Sequence, residues 1–162
     1  MDKNNLLTDF KLEQAIGFHV NRTAFFMTEE ITLRMDKLGY KISTQDFAIL
    51  FRLLKKGAMT QIEIATLLMR DKTTITRRID GLVKKGYVQR SPSLNDRRAV
   101  YIDLTALGHQ ALGVLVPLIV SFQQEVLLSI TDEDKAITIK TLQCISNRLI
   151  DLKNNTGEKD EH

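Results

Sequence analysis

The chain has 162 residues, 43% hydrophobic and 27% charged, with two prolines, eight glycines and one cysteine. That is the composition of an ordinary globular protein long enough to bury one core, and it excludes disordered, collagen-like and disulfide-stapled classes. The net charge of +3 is small but uneven: from Lys55 to Tyr101 eleven basic residues oppose four acidic ones, a surplus of seven, which leaves the two flanks together four negative.

A basic middle between acidic ends suits an anionic partner, nucleic acid above all, or else a solvated charged face. Met1 to Leu12 alternates charged and apolar residues without an apolar h-region, so no signal peptide is expected. Cys144 has no second cysteine to pair with and reads as a small buried apolar residue. The longest uncharged apolar run, Ala111 to Phe122, is too short to cross a bilayer, so a cytoplasmic protein with no membrane association is expected.

In chain order, the spacing of Leu12, Ile16, Val20, Ala24, Met27 and Ile31 predicts a long helix from about Asp9 to Leu38, stopped at Gly39. Its apolar stripe is longer than a small core can cover. A second helix starts after Ser43 and Thr44, with Phe47, Leu50, Phe51 and Leu54 as the apolar face and Gly57 as the stop. Thr60 and Glu63 have the spacing of a capping box ahead of a short helix bearing Ile62, Ala65, Leu67 and Leu68. Asp71 can cap the next helix, Lys72 to Lys85, with Ile75, Ile79, Leu82 and Val83 on its inner side. Tyr87 to Arg90 and Val100 to Leu104 then read as the strands of a hairpin around a polar tip. Thr105 can cap a helix from about Ala106 to Ile130, kinked at Pro117, and Thr131 and Asp134 open a last one ending near Leu152, ahead of a polar tail.

The two short helices have the order of a helix-turn-helix, whose second helix enters the major groove. On that helix the inward positions leave Lys72, Thr73, Thr76, Arg77 and Asp80 on the outer stripe. Arg77 can pair with guanine in bidentate fashion, Thr73 and Thr76 can reach base edges, and Lys72 and Thr74 suit phosphate near the helix N-terminus. Asp80 lies further along and suits orienting a neighbour. At the hairpin tip, Arg97 and Arg98 can enter a narrow minor groove, with Asp96 rigidifying the loop by pairing with one of them.

Asp71 to Gly86, then Tyr87, Val88 and Arg90, then Asp96-Arg97-Arg98, then Leu104-Thr105-Ala106-Leu107-Gly108 together resemble the winged helix-turn-helix of the MarR family, and the long terminal helices extend the resemblance over nearly the whole chain. The fold class implied is mainly α with a small β-hairpin wing: a winged helix-turn-helix plus a helical dimerisation region. Residues 1–42 would form an N-terminal dimerisation helix, 43–104 the DNA-binding domain, 105–154 the C-terminal dimerisation helices and 155–162 a disordered tail. The resemblance implies a homodimeric regulator, a repressor by the family's common mode, that binds double-stranded DNA at a pseudopalindrome and responds to a small aromatic or lipophilic anionic effector. Phe18, Arg22, Phe47 and Phe51 could line the effector pocket, although each phenylalanine also suits core packing.

The remaining chemistry is sparse. His19 and His109 are isolated and His162 lies in the tail, so no metal-ligand spacing exists, and no phosphate loop or nucleophile motif points to a cofactor or an enzyme. A winged helix can also serve as a protein-interaction module whose basic stripe faces an acidic partner.

Overall fold

The computed structural model describes residues 9–92 and 100–157. A 3-10 turn at Leu12–Gln14 precedes α1 (Ile16–Lys37), then α2 (Thr44–Lys56), β1 (Met59–Thr60), α3 (Gln61–Leu67), α4 (Lys72–Lys84), β2 (Val88–Pro92), β3 (Val100–Leu104), α5 (Ala106–Val126) and α6 (Asp132–Gly157). The chain divides into two compact units, residues 1–121 and 122–162. The helix order and the hairpin are those of a winged helix-turn-helix.

The three strands form an antiparallel sheet in the order β1-β3-β2. The wing strands pair Val88 with Leu104 through Pro92 with Val100. Val88, Ile102 and Leu104 face the core, while Val100, towards the tip, is exposed. The two-residue β1, too short to show in any periodicity, docks on the free edge of β3 by pairing Met59 with Ile102.

Four expectations are corrected. The first helix begins at Ile16 and not at Asp9, because Ala15 is extended (φ −80°, ψ 117°) and has no capping side chain. Leu12 and Ile16 keep helical spacing across that break, so the pattern cannot register it. His19 donates through Nε2 to the Glu13 carbonyl at 2.6 Å, tying the 3-10 turn to α1. The buried face of α2 is Asp46, Ile49, Leu50 and Leu53, one position earlier than the expected Phe47, Leu50, Phe51 and Leu54. Phe47 and Phe51 are half-buried and Leu54 is exposed. Helix α5 stops at Val126, short of Ile130, whereas α6 continues past Leu152 to Gly157, so the tail reading holds for no residue before 158 and residues 158–162 lie outside the described ones. Cys144 is exposed and not buried, on a helix whose apolar Ile137, Ile139 and Leu149 are exposed as well in the single chain.

Helix α5 runs unbroken through Pro117. Among the described residues it is the one helix whose length and composition would allow a membrane crossing. That exceeds the run Ala111 to Phe122 weighed from the sequence, because His109, Gln110, Gln123 and Gln124 are polar without being charged. Its Ala111, Leu112 and Leu115 are buried against protein.

Two backbone positions fix how the wing joins the helices. Gly57 has φ 79° and ψ −160°, a region open to glycine alone, and turns the chain from α2 into β1. In the first turn of α5, the Thr105 hydroxyl donates to the Gly86 carbonyl (2.6 Å) and accepts from the Gly108 amide (3.1 Å). Gly108 is needed there because a Cβ would overlap the Tyr87 carbonyl, a backbone atom that cannot swing aside. Gly108→Ala should therefore cost about 1–3 kcal/mol, the usual range for forced overpacking. Urea denaturation checks this, and a variant as stable as the parent contradicts the close approach.

Candidate nucleic-acid interface

Helix caps set the frame of this surface. Thr60 and Glu63 form the expected capping box: the Glu63 amide bonds Thr60 Oγ1 (3.3 Å) and the Thr60 amide bonds Glu63 Oε2 (2.7 Å). Helix α3 ends with Met69 in the left-handed region at φ 50°, with Arg70 N–H bonded to the Ala65 carbonyl and Met69 N–H to the Thr66 carbonyl. This closure satisfies the last carbonyls of α3 and makes the tight turn of the motif. Asp71 then accepts from the Thr74 amide at 2.8 Å and starts α4.

Helix α4 is oriented by burial. Ile75, Ile79 and Leu82 are each at most 1% exposed, which turns the opposite stripe to solvent. Lys72, Thr73 and Arg77 are exposed there, and Arg77 forms no ion pair among the described residues. Thr76 is half-buried and its hydroxyl is committed, donating to the Lys72 carbonyl at 2.8 Å and lying 3.4 Å from Gln61 Oε1. The Thr74 amide is taken by Asp71, which leaves Lys72 as the exposed cation at that end of the helix. Asp80 orients a neighbour as expected: its carboxylate accepts from Arg90 of β2 at 2.7 Å, joining α4 to the wing. The expected wing residues Asp96, Arg97 and Arg98 lie outside the described residues.

Sequence reasoning missed Arg78. Its Nη1 donates to Asp46 Oδ1 and to Ser43 Oγ, both at 3.0 Å, and Ser43 and Asp46 already form the capping box of α2. The Arg77-Arg78 pair thus splits, with one guanidinium facing solvent and the other facing α2. Arg78 follows the buried Ile75 by three positions and Asp46 precedes Ile49 by three, so both charges border apolar stripes. That mirrored placement was the available signal.

The four residues expected to line an effector pocket make their ring contacts along their own helices. Phe18 meets His19 edge-on at 5.5 Å, Arg22 lies 5.9 Å from the Phe26 ring, and Phe47 stacks on Phe51 at 5.7 Å. An open cleft of about 570 Å³ lies among Leu33, Asp36, Tyr40, Ile42, Ser43 and Lys85, and another of about 350 Å³ among Asp46, Thr74, Arg77, Arg78 and Gly81. Neither takes a wall from those four residues.

A protein-family model described as the MarR family matches residues 42–100, the segment from two residues before α2 to the first residue of β3. The HTH-type transcriptional repressor YetL of Bacillus subtilis is 32% identical over 113 residues, covering 68% of this chain and 68% of that protein. The HTH-type transcriptional regulator PecS of Dickeya dadantii is 34% identical over 99 residues, and the match spans 59% of this chain and 60% of PecS. In fold, the chain is similar to the crystal structure of a mutant MarR from E. coli complexed with operator DNA, with a TM-score of 0.73 at 24% identity over 80% of this chain and 92% of that one.

The caps give the interface a pH dependence. Hydrogen bonds from the Thr74 amide and hydroxyl hold the Asp71 carboxyl below its ordinary range, and those from Thr60 do the same for Glu63. A lowered native pKa stabilises the fold in full above the ordinary carboxylate range, and that stabilisation is lost as pH falls through the lowered value. Asp71→Asn keeps a capping oxygen but cannot titrate. The stability difference between parent and variant should be constant near neutrality and shrink in acid, read from melting temperatures across pH; a difference that persists undiminished in acid would rule out the charged cap.

Proposed function

The chain belongs to the MarR family, and from that premise we propose that it is a cytoplasmic transcriptional regulator without enzymatic activity. It binds duplex DNA as a homodimer and acts as a ligand-responsive repressor. One observation carries the reading: burial of Ile75, Ile79 and Leu82 leaves Lys72, Thr73 and Arg77, which forms no ion pair among the described residues, on one open face of α4. In the major groove Arg77 takes guanine O6 and N7, Thr73 and Thr76 meet neighbouring base edges, and Lys72 and Thr74 meet phosphate. Arg97 and Arg98 enter the adjacent minor groove and Asp96 steadies the tip.

Dimerisation is supported by apolar surface with no cover in one chain. Phe25, Phe26 and Leu33 on α1, and Ile137, Ile139 and Leu149 on α6, are all more than two-fifths exposed. A monomer of this size rarely exposes that much apolar surface, and a two-fold interface through α1, α5 and α6 would remove it from water. Two-fold symmetry then places half-site centres about 10 base pairs apart. A small aromatic or lipophilic anion bound by Arg22 with Phe18, Phe47 and Phe51 would shift the spacing of the two lobes.

Fluorescence anisotropy on a duplex enriched from a random pool by the purified protein tests this. Affinity should fall steeply as salt rises, and Arg77→Ala should lose about 1–3 kcal/mol while relaxing the preference at one base pair. Salt-independent binding, or a variant that keeps full base preference, defeats the major-groove assignment; capture of an acidic protein in place of duplex would favour a protein-interaction module.

A further inference from the structure

Helix α4 is gripped on three sides, and the grips differ in kind. At about 100° per residue, Ile75, Ile79 and Leu82 cluster on one line, Arg78 lies about 60° to one side of Ile75, and Thr76 and Asp80 lie about 100° and 140° to the other. Arg77 points nearly opposite the buried line. Apolar contact along a single line resists translation of a helix but is weakly directional about its axis. The roll of α4, which decides where Arg77 points, therefore falls to the polar contacts on its flanks. On one flank Thr76 lies near Gln61 of α3 and Asp80 binds Arg90 of β2. On the other there is Arg78, bonded to Ser43 and Asp46 at the start of α2.

We infer that Arg78 is a positioning residue for DNA recognition: it does not touch DNA but locks the roll of α4 by binding Asp46 and Ser43, and so aims Arg77. The inference rests on the DNA-binding reading above. Three observations support it. The ion pair is sheltered, with 28% of the Arg78 side chain and 12% of the Asp46 side chain exposed, unlike the Asp80 and Arg90 pair at 55% and 37%. Arg78 Nε is buried and has no hydrogen-bond partner, so the guanidinium is already withdrawn from water on that edge. Swinging Arg78 outward to a phosphate would break both bonds and leave Asp46, the charged first position of an otherwise apolar face of α2, without its cation. A sheltered pair is also screened less by salt than an exposed one.

The test is a double-mutant cycle on the full chain with Arg78→Gln, Asp46→Asn and the double variant. Anisotropy is read on the enriched duplex over a salt series, and melting temperature is measured alongside. Each single variant should bind on the order of tenfold more weakly, and the double variant no more weakly than either, because one interaction is lost in all three. The slope of log affinity against log salt should stay that of the parent, since no phosphate contact has gone. A slope shallower by about one in Arg78→Gln alone would make Arg78 a phosphate contact and overturn the inference. So would multiplying losses, or a lowered melting temperature with affinity unchanged. Asn at this third position of the capping box can still accept from the Ser43 amide, so Asp46→Asn keeps the comparison decisive if Arg78→Gln fails to fold. A parent that shows no salt-dependent duplex binding overturns the DNA reading itself and this inference with it, whereas steep binding unaffected by either substitution overturns this inference alone.

Discussion

The outward stripe of α4 exists because three side chains on its other side are dry. Burying Ile75, Ile79 and Leu82 is worth about 1.5–3 kcal/mol each, more than a helix cap at about 1 kcal/mol or an exposed ion pair at under about 1 kcal/mol. Burial therefore chooses which face of α4 is solvent-facing. Lys72, Thr73 and Arg77 are presented as a consequence, at the spacing dictated by 3.6 residues per turn. Polar contacts add what burial lacks, a preferred roll and a preferred junction with the strands.

The same division of labour recurs at the wing. Val88, Ile102 and Leu104 anchor the hairpin into the core. The Arg90 bridge to Asp80 and the Thr105 bond to the Gly86 carbonyl then set its angle against α4 and α5. Gly108 allows α5 to lie directly against the Tyr87 carbonyl, so the helix leaving the lobe is referenced to the backbone entering the wing.

Much of this was legible in the sequence. Caps are local, so Thr60 with Glu63, Asp71, Thr105 and Thr131 could be read from spacing alone, and the structure satisfies each of them. The inner stripe of α4 was legible because its periodicity is clean. What escaped was decided by partners distant in sequence. The face of α2 was misread by one position because a phenylalanine is normally a better core residue than an aspartate; buried Asp46 is satisfied by the Ser43 amide and by Arg78, 32 residues later, which supplies its counter-charge. The break at Ala15 escaped because the apolar spacing continues across it. The exposure of Cys144 escaped because a lone cysteine is among the residue types most often buried, whereas this one shares α6 with exposed Ile137, Ile139 and Leu149.

In the proposed complex the outer face of α4 meets the base pairs. Amide NMR of the nitrogen-15-labelled protein, titrated with the selected duplex, addresses it residue by residue. The amides of Lys72, Thr73 and Arg77 should shift strongly while those of buried Ile49 and Leu53 of α2 move little. Shifts concentrated on α1 and α6, with α4 silent at saturating duplex, would contradict it.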